Sequence, residues 1–277
     1  MLAEPTVTAS VSLRQLQLTQ HRLLCIFAEV CEAHGLRFWL TAGTLLGAVR
    51  HRGFIPWDDD VDVAMPRADF ERLEALALEW EARGCFYQSE RSERCYPFPF
   101  SKLLIERFPA TAAENTRIAM RQGCFIDVFP LDVCPRGERL GALFYAAHGF
   151  LTSVLKVKVN PEAACAFVKP LPRAIHRCAE VLPIAALKGL RRGLTKLCAF
   201  LCQGSGRLCT LAGAHGWPAE TYEAAWFAGT RQGCFEGRSF PIPGGAEALL
   251  AHLYGADWRT PRRDSGRPSH FIIHDEE

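Results

Sequence analysis

The chain has no Cys-x-x-Cys pair, although it contains 12 cysteines among its 277 residues. Cys198, Cys202 and Cys209 fall in an apolar helical stretch without the paired Cys/His spacing of a zinc site, which argues against a structural zinc. Nothing near the first residue resembles a basic segment followed by an apolar signal core, so the cysteines are expected to be reduced thiols inside a cytoplasmic protein. A clean membrane-spanning run is also missing. The best stretch, Leu140 to Val159, is interrupted by His148, Lys156 and Lys158 and contains Gly141 and Gly149, which predicts a buried or interfacial helix. There is no internal repeat and no low-complexity tract, which excludes solenoids and linker arrays.

What is present is enough apolar material for a substantial core, 49% of residues, in a length that suits one domain with a sizeable insertion or two small domains. The formal charge of +2 conceals an asymmetry. Lys156 to His215 holds ten Lys or Arg against Glu162 and Glu180, a local charge of +8, and leaves the remainder at −6. Such a block fits contact with an anionic partner, a phospholipid headgroup or a phosphorylated polymer, or else a solvated helix face. Nucleic acid is not expected, because these cations sit among Leu, Ala and Cys without stacking aromatics.

Ser12 with Gln15 makes a capping box, followed by Leu13, Leu16, Leu23, Phe27 and Val30 at helical spacing up to Gly35. Leu36 to Leu40 reads as a buried strand, Ala42-Gly43-Thr44 as a turn, and Leu45 to His51 as a short helix. A strand from Asp60 to Met65 and a helix from Pro66 or Arg67 to Arg83 come next, with Gly84 as the stop. Further strands are expected at Phe98 to Glu106 and Cys124 to Phe129, after which Gly137 to His215 turns helical and basic. The fold class is therefore α+β, a mixed sheet flanked by helices with a helical insertion.

Asp58, Asp59, Asp60 and Asp62 place four acids in five positions, whose repulsion calls for a compensating cation. On a strand, Asp60 and Asp62 share one face while Val61, Val63 and Met65 pack into the core. Two carboxylates on one edge suit Mg²⁺, with Mn²⁺ as a substitute, because the hard ion takes oxygen ligands and substrate phosphates. The plainer alternative is a solvated acidic turn. Backbone amides around Gly43 and Thr44 at the start of a helix can cradle phosphate oxygens. Asp127, embedded in Phe125-Ile126-Asp127-Val128-Phe129, either completes the metal site, acts as base toward an acceptor hydroxyl, or caps a local turn; Asp132 reads as a turn residue. Strand, Gly-Thr turn, short helix and a strand carrying Asp-x-Asp together form the order of nucleotidyltransferase-fold active sites.

The run FWLTAGTLLGAVRHRGFIPWDDDVDVAMPR (Phe38 to Arg67) closely resembles the LicD family, whose relatives include fukutin and fukutin-related protein. The likeness continues in FPFSKL (Phe98 to Leu103), FIDVFPLD (Phe125 to Asp132), FEGRSFPIP (Phe235 to Pro243), LYGADWRTP (Leu253 to Pro261) and His270. The resemblance implies transfer of a phosphorylated small alcohol, such as phosphocholine or ribitol phosphate, from a CDP-linked donor to a hydroxyl of a glycan, lipopolysaccharide or teichoic acid, with CMP leaving. It implies Asp60 and Asp62 as the metal pair, Asp127 as third carboxylate, and Gly43 and Thr44 as the phosphate-side turn. Arg50, His51, Arg52 and Lys102 are assigned to donor-phosphate contact, the alternative for these cations being ordinary ion pairs with the acids. His270 matches a C-terminal histidine of the family.

The implied organisation is a nucleotidyltransferase-like catalytic core over residues 1–135, a helical basic insertion over 136–217 facing acceptor or membrane, and a C-terminal segment, 218–277, completing the catalytic domain. Cytoplasmic placement, with peripheral contact at the inner face of the membrane, follows as an expectation. Competing readings are transfer of a nucleotide rather than an alcohol phosphate, a sugar-nucleotide glycosyltransferase using Asp-x-Asp, and a non-catalytic metal-binding envelope-assembly protein.

Overall fold

A computed structural model describes residues 12–106, 108, 111–112, 118–161, 173–211, 213, 215–261 and 271–272. Helix α1 (Leu13–Ala33) starts at the expected capping box. Ser12 accepts from the Gln15 amide, while the Gln15 side chain accepts from the Ser12 amide at 2.8 Å. The helix stops at His34, with Gly35 at φ 60°, a left-handed value that suits glycine.

Strand β1 is only Trp39–Leu40, and helix α2 (Ala42–Arg50) follows at once. The anticipated Ala42-Gly43-Thr44 turn is therefore the first turn of this helix, and the direction change occurs at Ala42, which takes φ 46°. Strand β2 is Asp62–Pro66, so Asp60 precedes the strand rather than opening it. The long helix expected from Arg67 to Arg83 is broken into α3 (Arg67–Arg72), a 3₁₀ turn (Leu73–Leu76) and α4 (Ala77–Ala82). The indole N–H of Trp80 donates to the Leu73 carbonyl at 3.2 Å, occupying the acceptor that a continuing α-helix would offer to the Ala77 amide.

Strands β3 (Phe86–Gln88), β4 (Ser101–Ile105) and β6 (Cys124–Val133) complete the central mixed sheet, in the order β1-β2-β6-β4-β3. Strand β2 runs parallel to β6, while β4 is antiparallel to it. Strand β5 (Thr111–Ala112) lies outside this sheet. The helical region comprises α5 (Glu138–Val159), α6 (Arg173–Val181) and α7 (Ile184–Leu201), which share a small apolar cluster of their own built on Val154, Leu155, Ile175 and Leu187. The chain then returns to the sheet. Strand β7 (Arg207–Cys209) pairs with the end of β6 and with β8 (Thr221–Glu223).

A hairpin of β9 (Thr230–Phe235) and β10 (Arg238–Pro243) leads to α8 (Ala246–Tyr254), and β11 (Phe271–Ile272) pairs with β5. The C-terminal elements belong to the principal core, where Phe235, Phe240, Leu249 and Phe271 pack in the same cluster as Phe27, Val63 and Ile126. The Phe271 ring packs against Phe125, tilted by 33° with centroids 4.8 Å apart, beside the strand that carries Asp127.

Candidate active site

Asp62 is held at its backbone from both sides. Its amide donates to Thr44 Oγ1 at 2.8 Å, and its carbonyl accepts from the Thr41 amide at 3.1 Å. The start of α2 is thereby fastened to the start of β2, and the Thr44 hydroxyl serves that junction. The left-handed backbone at Ala42 lies in the same junction, a conformation that L residues avoid and that tertiary contacts must hold. Gly47, one turn further along α2, admits the loop that precedes the acids, since a Cβ there would sit 2.5 Å from the Gly53 carbonyl oxygen.

That loop is tethered from α1. Gln17 donates to the Asp58 carbonyl at 3.0 Å, and Gln20 donates to the Asp59 carbonyl at 2.8 Å and to the Phe125 carbonyl at 3.3 Å. The Phe271 amide donates to Asp59 Oδ2 at 3.2 Å. With the chain so constrained, Asp58, Asp59 and Asp60 are all buried, and one carboxylate oxygen from each lies within 4.8 Å of the others. Among the described residues these three acids are close enough together to share a cation, so Asp58 and Asp59 stand beside Asp60 as candidate ligands.

The second half of the site is a row across three strands. The parallel register sets Asp62 opposite Asp127, and the antiparallel register sets Lys102 opposite Asp127. Side chains at paired positions emerge on the same face, so Asp62, Asp127 and Lys102 lie side by side. Lys102 Nζ stands 3.2 Å from Asp127 Oδ1 and 3.2 Å from the centroid of the Phe125 ring, with Phe98 and Phe100 within 6 Å. Both members of the ion pair are largely shielded from solvent, which strengthens their mutual attraction. Asp127 sits in the middle of β6, which removes the turn-cap role. Asp132 likewise is not a turn residue, because it lies in β6 and is gripped at both oxygens by the Arg67 guanidinium, at 2.7 and 2.6 Å.

The other expected site residues lie farther along. Gly43 is buried within α2 beside Thr44. Arg50 donates from Nη1 to the Trp258 carbonyl at 3.0 Å and from Nε to His51 Nδ1 at 3.3 Å, so it joins the end of α2 to the C-terminal motif. Burial pulls its guanidinium below the usual arginine range, with Tyr254 and Asp58 acting in the opposite direction. Burial, and then the charge of Arg50, lowers His51. Arg52 is exposed at φ 58°, and its carbonyl accepts from the Glu236 amide at 3.0 Å. His270 lies outside the described residues.

Gln17 and Gln20 were not anticipated from the sequence. Their signal was available, since two glutamines three apart on the apolar face of α1 need partners when buried. Beyond the Phe98 and Phe100 wall is a cleft of about 790 Å³, its open mouth included, between the sheet and the helical region. Arg191 is buried in its lining and donates to the Pro97 and Phe98 carbonyls and to Glu90. Burial first, then Arg191 and Arg67, push the His148 imidazole down to about 3.

The acidic set is one of hard oxygen donors, buried and partly balanced by Lys102, and it fits a divalent cation such as Mg²⁺. Comparison with known proteins agrees in kind. The family described as LicD/FKTN/FKRP, nucleotidyltransferase domain, matches residues 35–131, the stretch from the end of α1 to β6. The chain is 26% identical over 271 residues to the lipopolysaccharide cholinephosphotransferase LicD of Haemophilus influenzae, covering 94% of this chain and 97% of that protein. It is 36% identical over 83 residues to an uncharacterized protein of Rickettsia prowazekii, covering 30% of this chain and 29% of that one. It is 51% identical over 47 residues to the ribitol 5-phosphate transferase FKRP of Homo sapiens, but this spans 17% of the chain and 10% of that protein. These likenesses define the class of the chain as a phosphotransferase. Over residues 35–131 the chain is similar to the LicD family, and over nearly its whole length it is similar to one lipopolysaccharide cholinephosphotransferase.

Proposed function

We propose that the chain transfers a phosphorylated small alcohol, phosphocholine-like or ribitol-phosphate-like, from a CDP-linked donor to a hydroxyl of a glycan or lipid-linked glycan of the cell surface. The observation that carries this reading is the same-face register of Asp62, Asp127 and Lys102 beside the buried Asp58, Asp59 and Asp60 group. It is supported by the near full-length likeness to a cholinephosphotransferase. Residues 1–135 act as a nucleotidyltransferase-like core, 136–217 as the helical insertion and 218–277 as the segment that closes the core. The reaction takes place on the cytoplasmic side.

Asp60, Asp62 and Asp127 would hold Mg²⁺, with Asp58 or Asp59 available to it. When bound, the ion neutralises pyrophosphate charge and favours in-line attack at the phosphorus distal to cytidine. The chain's own residues do the rest. Thr44 and Thr41 fix where the Asp62 carboxylate emerges. Lys102, 3.2 Å from Asp127 Oδ1, balances charge beside the metal site and holds the Asp127 carboxylate in place as a ligand. Amides at the start of α2, and Arg50 and His51 at its end, face the donor phosphates and the departing CMP, with Arg52 and His270 as further donor-side contacts.

A donor labelled separately in the cytidine and in the alcohol tests the reading. The acceptor product should gain the alcohol label alone while cytidine label leaves as CMP. Cytidine label on the acceptor would identify a nucleotidyl transfer instead.

A further inference from the structure

We propose that α5 and α7 present an interfacial face that seats the protein on an anionic phospholipid surface. The inference does not rest on the transfer reaction. Of eleven large apolar side chains that are exposed among the described residues, eight lie between Leu140 and Leu201. Their distribution follows helical geometry. On α7, Leu190, Leu197 and Leu201 recur at i, i+7 and i+11, with Phe200 beside them, and each is more than half exposed. At 100° per residue these four fall within one arc of about 100°. The side of α7 that carries Leu187, Arg191 and Cys198 is buried, so the arc is a second apolar face turned outward.

Helix α5 repeats the arrangement. Leu143 and Phe150 are spaced at i and i+7 and both are exposed, with Leu140 alongside, while Gly141, His148 and Val154 are buried. This helix is long and apolar enough to cross a bilayer, yet only 28% of its most apolar window is buried within the protein. It also packs against α6 and α7 through a shared core, and its buried His148 lines the cleft toward the sheet. Its outward face is therefore suited to lying along an interface.

Charge selects the occupant. Residues 136–201 carry eleven Lys or Arg against three Glu, of which Lys188 and Arg191 are buried and Arg192 is paired with Glu90. Lys196 falls between the apolar arc of α7 and the rim of the cleft lined by Arg67 and Arg191, and Arg139 stands at the N-terminal end of the apolar stripe of α5. Arg139, Arg177 and Lys196 are exposed and make no ion pair among the described residues. Leucine and phenylalanine arcs bordered by such cations match a headgroup layer of negative lipids, where the rings and aliphatic chains enter the acyl boundary and the cations meet phosphates. A protein partner of neutral surface would leave these cations unmatched.

The test is vesicle co-sedimentation of the full chain with neutral phosphatidylcholine vesicles and with vesicles containing phosphatidylglycerol. Binding should be at least tenfold stronger to the anionic vesicles and should weaken in high salt. The pair Leu197→Ser/Phe200→Ser should lose at least tenfold in binding, and Arg139→Gln/Lys196→Gln should lose the preference for anionic lipid. All four side chains are exposed, so both variants should keep the wild-type melting temperature. Equal binding by the variants, or no sedimentation with anionic vesicles, overturns the proposal. Retention after alkaline carbonate washing overturns it in favour of a spanning segment. A dimer in gel filtration that Leu197→Ser/Phe200→Ser converts to monomer assigns the face to self-association.

Discussion

Asp62 and Asp127 stand directly opposite each other on adjacent parallel strands, sixty-five residues apart in sequence and on one face of the sheet. A pair of carboxylates in this relationship repels unless a cation sits between or beside them, and Lys102 on the next strand faces Asp127 at 3.2 Å. The Asp58, Asp59 and Asp60 group adds further negative charge at the same end of the sheet. Divalent metal should therefore bind the folded chain and stabilise it. Saturation at about 100 times the dissociation constant corresponds to roughly 2.7 kcal/mol. Mg²⁺ should raise the melting temperature by several degrees, EDTA should reverse the shift, and Asp60→Asn/Asp62→Asn should abolish it. A variant that still shows the wild-type Mg²⁺ shift contradicts this assignment of ligands.

Removing Lys102 should expose the cost of the acid it balances. Lys102→Met leaves Asp127 buried beside other carboxylates, and loss of one partner of a buried pair costs about 3–5 kcal/mol. Urea unfolding should show that loss, and Lys102→Met/Asp127→Asn should recover part of it. If the double variant is no more stable than the single, the two side chains are not coupled.

Thr44 offers a finer test, because its hydroxyl accepts from the Asp62 amide. Thr44→Val keeps the shape but leaves that buried amide unsatisfied, at a cost of about 1–3 kcal/mol. Thr44→Ser should retain both stability and activity. Equal stability of the valine and serine variants would show that the hydrogen bond does not hold the junction.

His148 should make stability depend on pH. Its folded value of about 3 lies below the ordinary 6.5, so between those limits the unfolded chain binds a proton that the folded site refuses. The contribution is complete above the unfolded value and is lost as pH falls toward the folded one. Wild type should lose stability relative to His148→Gln between about pH 7.5 and pH 5 in denaturant titrations. Parallel curves would contradict the buried, neutral imidazole.

Part of the local structure around the candidate site was legible because its signals are local. The capping box at Ser12 and the acid within the apolar run at Asp127 depend on near neighbours, whereas the strand alternation expected of Asp60 and Asp62 does not occur, because β2 opens only at Asp62. What escaped is nonlocal. Gln17 and Gln20 acquire meaning only when the loop at Asp58 and Asp59 arrives from forty residues away. Strand β6 runs on to Val133 because Arg67 neutralises Asp132 inside it, and the helix after Arg67 tightens where Trp80 takes the Leu73 carbonyl. The sequence order of strand, turn, helix and strand was right in kind, while the turn itself condensed into the first residues of α2 under the pull of Thr41 and Thr44 on Asp62.

The most direct measurement is CMP release from a panel of CDP-alcohols, including CDP-choline and CDP-ribitol, by the purified chain with Mg²⁺ and cell-envelope glycan. At least one donor should yield CMP in step with alcohol phosphate on the glycan. EDTA should stop release, and Asp62→Asn should slow it by about a hundredfold or more without unfolding the protein. No release from any donor, or an Asp62→Asn variant as active as wild type, would contradict the assignment of the Asp62 and Asp127 face as the phosphoryl-transfer site.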